Sequence, residues 1–408
     1  MGGVLVIMAL FLTGCGSDDS EEVIPSHVDY SDDDFNQIVE PNNELAFNLL
    51  TQVEPNEDNN LFISPSSLFM ALSMTYNGAD GETKEEIAKT LQASGIDVKD
   101  LNKANASLIS KLHHHSDIEL DIANSVWVND EFSLEEDFQK NTQDHFNAEV
   151  EEFNITDSDS SKRINQWVED ATNNKITDIV EAPLDEKLVA LLINAIYFKG
   201  DWKYEFDSEL TETRPFQISE GETINVSLMR LEEELNYMEN EHVQAVELPY
   251  NDEDLSMHVF LPKENYNLEE LKEDLTYEKW IEWQESFDET EGVLMLPKFE
   301  LDYEVILNDT LVELGMATAF DEEHANFSKM VQGEDRLWID KVKQKSYIKV
   351  NEEGTEAAAA TSVEMKTVSA NLDAFQMVVD RPFFLTITDN ETGVILFMGA
   401  ISYPPEIE

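Results

Sequence analysis

An α+β class, with large sheets and helices packed around them, is what this chain predicts, and three observations carry the prediction. Residues 188–198 (Leu-Val-Ala-Leu-Leu-Ile-Asn-Ala-Ile-Tyr-Phe) are apolar on both faces, the pattern of a central strand covered on both sides. Ser64-Pro65 opens a helix, with Ser as N-cap and Pro at the first helical position, where its missing N–H costs nothing. Later in the chain strand-like runs dominate, at 255–261, 292–299, 347–350, 375–379, 383–388 and 394–402. The 408 residues are 41% hydrophobic and 9% aromatic, enough for one sizeable core. No internal repeat or second linker divides residues 42–405, so one domain is expected there.

The elements follow in order. Residues 4–12 are a short apolar run, too short to span a bilayer as a mature helix but suited to a signal-peptide core. Leu12-Thr13-Gly14-Cys15 resembles a bacterial lipobox, in which the signal is cut before the cysteine and the thiol is lipidated. Residues 1–14 therefore read as a signal peptide and Cys15 as a lipid anchor, which implies an extracellular or cell-surface location. One feature departs from that pattern: no Lys or Arg precedes Lys84, so the usual positive segment is missing. Residues 15–41 are acidic and lack bases, and predict a disordered tether. The helix begun at Ser64 runs through Leu68, Met70, Ala71, Leu72 and Met74 and stops at Asn77-Gly78. A strand is expected at 118–128, a second helix from a capping box of Ser133 and Glu136, and a third over 162–171 around Trp167.

Asp and Glu total 87 against 26 Lys and Arg, a net charge of −61, which repels phosphate backbones and argues against nucleic-acid partners and against long-range attraction to anionic membranes. The acids are spread through the chain as a solvated surface. With Cys15 the single cysteine, no intramolecular disulfide forms. There is no Gly-x-Ser-x-Gly, no His-Glu-x-x-His, no phosphate-binding loop and no dinucleotide fingerprint. His113-His114-His115 cannot share one face of a helix or strand, so a solvated loop is expected there and no metal site. No catalytic residues, cofactor or enzymatic activity is expected.

Residues 352–374 carry the most information. They read Glu-Glu-Gly-Thr-Glu-Ala-Ala-Ala-Ala-Thr-Ser-Val-Glu-Met-Lys-Thr-Val-Ser-Ala-Asn-Leu-Asp-Ala and connect two strand-like runs without a turn signal. That exceeds the roughly 12–15 residues of a passive loop, so a functional role is expected. Every second residue from Thr355 (then Ala357, Ala359, Thr361, Val363, Met365) is small or apolar, whereas Glu356, Ala358, Ala360, Ser362, Glu364 and Lys366 suit water or a polar cover. This is the period-2 pattern of a strand written into a loop.

These residues resemble the hinge of the serpin reactive-centre loop, here Gly354, Thr355, Glu356, Ala357, Ala358, Ala359 and Ala360. Residues 60–67 (Asn-Leu-Phe-Ile-Ser-Pro-Ser-Ser), 194–202 (Asn-Ala-Ile-Tyr-Phe-Lys-Gly-Asp-Trp), 296–299 (Leu-Pro-Lys-Phe) and 381–383 (Arg-Pro-Phe) match the same family in order and spacing, and the resemblance covers roughly 42–405.

The resemblance implies large, mostly antiparallel sheets, surrounding helices and an exposed reactive-centre loop at 352–374. It implies a monomeric inhibitor whose partner is a target serine protease: cleavage of the loop gives a covalent acyl-enzyme, and the freed loop inserts into the main sheet and distorts the protease. Ser64, Ser67 and Asn194 match a polar cluster where the central strands part. Gln344 stands there where the family often has a histidine, which puts pH-sensitive gating at that point in doubt because an amide does not titrate. Trp202, Lys298 and Glu352 match the point where the loop enters. The commonest spacing puts the cut between Val368 and Ser369, suited to an elastase-like or subtilisin-like protease. Asn371-Leu372, Lys366-Thr367 and Met365-Lys366 are the alternative bonds. Two other readings compete: a non-inhibitory carrier or scaffold of the same fold, against which the alanine-rich hinge speaks, and a surface ligand-binding lipoprotein, which leaves the hinge pattern unexplained.

Overall fold

The structure is a computed structural model, and it describes residues 28–113, 118–219, 221–251, 253–333, 336–355 and 374–407. It is α+β, with two large sheets and helices packed around them. The helix expected from Ser64 runs Pro65–Gly78, and the Ser64 hydroxyl accepts the Ser67 amide hydrogen, the cap its sequence calls for. Nearly every residue of this helix is buried, so it threads the centre of the molecule.

The first sheet has six strands in the order Phe299–Ile306, Lys341–Val350, Gly354–Thr355, Ala190–Asp201, Ile118–Asn129 and Glu149–Phe153. Its inner face packs on the helix Pro65–Gly78, and its outer face carries the helix Ser160–Ala171 over a smaller core that includes Trp127, Ile164, Val168, Leu191 and Ile193. Being covered on both faces explains why Ala190–Asp201 is apolar without alternation. The second sheet is nine-stranded, and Phe383–Asp389 and Ile395–Ile401 lie inside it with every residue buried.

Two expectations change. The tether was to reach residue 41, yet the chain is already ordered before that point: Phe35 and Ile38 are buried, and a helix runs Val39–Gln52. Two apolar residues three apart were enough to dock the segment, and the density of acids around them hid the signal. The capping box at Ser133 does not form. The helix starts at Glu136 with Glu135 as its N-cap and no side-chain cap bond. Residues 133–135 instead bond along the backbone to the segment around Val331, with Gln332 N donating to Ser133 O at 2.7 Å and Glu135 N to Met330 O at 2.9 Å.

Candidate functional site

The six-stranded sheet contains one seam of unusual make. Strands Ala190–Asp201 and Lys341–Val350 run parallel and pair directly from Lys341–Leu191 to Tyr347–Tyr197. Above that point they part, and the two-residue strand Gly354–Thr355 lies between them, antiparallel to both. Thr355 pairs with Val350 on one side and Gly200 on the other.

Tight local geometry holds this short strand. Asn351 Oδ1 accepts the amide hydrogens of Glu353 and Gly354 at 3.0 and 3.1 Å, reversing the chain after Val350. A Cβ at Gly354 would stand 2.3 Å from the carbonyl oxygen of Gly200, so only glycine lets the two backbones approach. Thr355 is fully buried, and its hydroxyl lies 2.9 Å from that of Tyr250.

Around this open end the structure gathers Trp202, Lys298 and Glu352. Trp202 stacks on Tyr250 with ring centroids 4.7 Å apart and donates from its indole nitrogen to Asn351 O at 3.0 Å. Lys298 Nζ lies 2.7 Å from Glu352 Oε2, and Thr211 Oγ1 donates to Glu352 Oε1 at 2.9 Å. Burial alone would push the Glu352 carboxyl up, but Lys298 and the bonds it accepts hold it below the usual carboxylate range.

At the closed end, Ser64, Ser67, Asn194 and Gln344 meet, each at most 1% exposed. Gln344 Nε2 donates to Asn194 Oδ1 at 2.5 Å and to Ser64 O at 2.9 Å, and Gln344 Oε1 accepts from Ser64 N at 3.0 Å. Asn194 Nδ2 donates to Ser67 Oγ and, at 2.5 Å, to Asn124 Oδ1. Every polar atom that such a buried amide pair needs to place is thus used. Asn124, the cross-strand partner of Asn194, was missed, though a lone amide inside 122–128 is the same signal that marked Asn194. Tyr250 was also missed; nothing local singles it out.

On the far side, Phe375–Val378 pairs with Asp288–Pro297 in the nine-stranded sheet, and Phe375 stacks on Tyr237 at 4.4 Å. The two ends of the segment therefore belong to different sheets. Glu356, Ala357, Ala358, Ala359, Ala360, Val368 and Ser369 lie outside the described residues, as do Cys15, His114 and His115. His113 ends the helix Val98–Leu112. Among the described residues no group of three or more His, Cys, Asp or Glu could hold a metal ion.

With the geometry in place, comparison with known proteins is direct. Residues 40–404 match the family model described as Serpin (serine protease inhibitor). An uncharacterized serpin-like protein of Methanosarcina acetivorans is 33% identical, over 98% of this chain and 96% of its own length. The leukocyte elastase inhibitor of Xenopus laevis is 35% identical, over 88% of this chain and 97% of its own. The crystal structure of a thermophilic serpin, tengpin, in the native state superposes with a TM-score of 0.84 at 32% identity, covering 93% of this chain and 96% of that one. One expectation is corrected by these relatives. The sequence predicted no enzymatic activity, and the family model and the named relative replace that bare negative with a family described by serine protease inhibition. Matched along nearly its whole length by model, sequence and structure, the chain belongs to the serpin family.

Proposed function

We propose that this chain inhibits serine proteases as a suicide substrate, through cleavage of 352–374 and insertion of the freed segment into the seam of the six-stranded sheet. The observation that carries the reading is the strand Gly354–Thr355, seated antiparallel between two parallel strands. A strand continued from Thr355 in the same register keeps Ala357, Ala359 and Thr361 on the inner face with Thr355. Six places on, Thr361 stands between Asn194 and Gln344, so full insertion replaces their mutual bond. About ten new backbone pairs, each near ~1 kcal/mol net, release on the order of 10 kcal/mol.

In the chemical step the protease's serine hydroxyl adds to the carbonyl of Val368. The bond to Ser369 breaks, the new amine of Ser369 takes the proton, and Val368 remains as an ester on the protease. Insertion then removes that ester from its catalytic surroundings before water completes the cycle. The small apolar Val368, together with a likeness to a leukocyte elastase inhibitor, supports an elastase-like target, with subtilisin-like enzymes next. Secretion of a monomer held at the cell surface through Cys15 completes the proposal.

The deciding experiment mixes the purified chain with an elastase and looks for a covalent complex that survives boiling in detergent. Cleavage without any complex, across elastase-, subtilisin-, trypsin- and chymotrypsin-like enzymes, would favour a carrier of the same fold.

A further inference from the structure

The seam is not bare on its outer face. After the helix Ser160–Ala171 the chain turns at Asn173 and Asn174, both with positive φ, and crosses the sheet. Asn173 Nδ2 donates to Glu119 and, at 2.8 Å, to Asp121 Oδ2, both on the strand Ile118–Asn129. Two residues later the ammonium of Lys175 stands 5.8 Å from the ring centroid of Tyr347, on the other side of the seam. Further on, Lys345 Nζ donates to Asp178 O at 3.3 Å and Lys343 Nζ to Ile179 O. Residues 172–179 thus tie one side of the seam to the other across the place where Tyr197 and Tyr347 pair. A strand extended from Thr355 brings Ala358 between those tyrosines, beneath this crossing.

We propose that residues 172–179 form a strap that acid tightens and neutral pH loosens, with the carboxylate pair Glu119–Asp121 under Asn173 as its sensor. The proposal rests on the insertion reading, since it regulates entry to the same seam.

The groups facing Asp121 come from three elements. Glu119 lies on its own strand, two residues away on the same face. Tyr197 is its direct partner on Ala190–Asp201, where Lys199 is also found and pairs with Glu119 at 3.5 Å. Asn173 covers it from the turn, with Lys175 over Tyr347 beyond. Burial, and then the charge of Glu119, push the Asp121 carboxyl up to about 6. Lifting the strap rehydrates the pair and returns Asp121 toward its ordinary value. The N–H groups that Asn173 donates favour the ionised pair and oppose this, but burial and the charge of Glu119 outweigh them, so the covered state holds its proton more tightly and is favoured in acid. That preference is complete below the ordinary carboxylate value and is lost as pH rises through about 6. Two pKa units set an upper bound of roughly a hundredfold, and solvent screening at a half-buried site brings the expectation to roughly tenfold.

Hydrogen–deuterium exchange of residues 172–179, corrected for intrinsic rates, tests this between about pH 4.5 and 7.5. Opening should rise roughly tenfold across that range in the native chain and less than twofold in Asp121→Asn, whose amide imitates the protonated acid. Glu119→Gln should move the transition to lower pH, and Asn173→Ala should expose the segment throughout. A flat profile in the native chain, or an unchanged one in both Asp121→Asn and Glu119→Gln, overturns the strap. A detergent-stable complex with elastase at neutral pH is measured separately. If none forms, the insertion reading fails while the titration of the strap stands. If complexes form, Asp121→Asn should shift the products from complex toward cleaved inhibitor, and an unchanged ratio overturns the regulatory role.

Discussion

Gln344 and Asn194 face each other across the parallel seam, and the amide of Gln344 donates to that of Asn194 at 2.5 Å. This bond joins the strands that the proposed insertion would have to separate. Asn194→Ala leaves the buried Gln344, Ser67 and Asn124 groups short of partners. It should lower native stability by about 2 kcal/mol, read as the midpoint of the first urea transition. Gln344→His should make that midpoint depend on pH around ~6.5, since an imidazole titrates where an amide does not.

The inward set of the hinge should not tolerate charge. Thr355 is fully buried. Ala357→Arg places a guanidinium on the inner face at the first step of insertion, whereas Thr355→Arg places one in the seam that Thr355 already occupies, each at a cost of several kcal/mol. Each variant should still be cut near Val368 but give at least about tenfold less covalent complex on a gel, which is about 1.4 kcal/mol of partitioning. Insertion in the register of Thr355 would carry Ala358 beneath the strap, so Ala358→Arg should also slow trapping. Glu356→Gln is the milder control. Full inhibition by Ala357→Arg would exclude strand insertion.

Mass spectrometry of the denatured complex should find a C-terminal peptide beginning at Ser369. A peptide starting at Lys366, Thr367 or Leu372 would move the cut to one of the alternative bonds and change the target class while leaving the trapping mechanism intact.

Glu352 holds its carboxyl low beside Lys298, so the pair stabilises the fold at neutral pH and stops doing so as pH falls through that depressed value. With the side chains 31% and 13% exposed, Lys298→Ala should cost about 1 kcal/mol near pH 7. The difference from the native chain should vanish in strong acid. Urea midpoints across the acid range give both numbers, and a constant difference would remove the ion pair as its cause.

Lipid anchoring rests on residues 12–15 alone. Cys15→Ser should release the chain from membranes or block its processing, and unchanged fractionation would discard the anchor.

What was legible in the sequence was whatever a local period or a misplaced polar residue betrays. The apolar run around Asn194 and the cap at Ser64 both declare themselves within a dozen residues. Contacts between distant segments do not. That Gln344 meets Asn194 was legible only through the family resemblance and not through any local pattern, because it depends on the parallel register of strands 150 residues apart. The strap depends on a turn that lands Asn173 on Asp121, and Tyr250 reaches Thr355 only once both sheets are assembled. Ser133 failed as a cap for the same reason: its neighbours found backbone partners near Val331, and tertiary pairing outweighed local preference.

The strands that follow residues 352–374, Phe383–Asp389 and Ile395–Ile401, are woven between Leu61–Ile63 and Leu255–Pro262. A nick anywhere in 356–373 therefore yields a molecule in two pieces whose halves share one hydrophobic interior. The smaller piece should therefore stay on without a covalent tie, so that native size and sedimentation record no loss of mass. Only unfolding lets it leave.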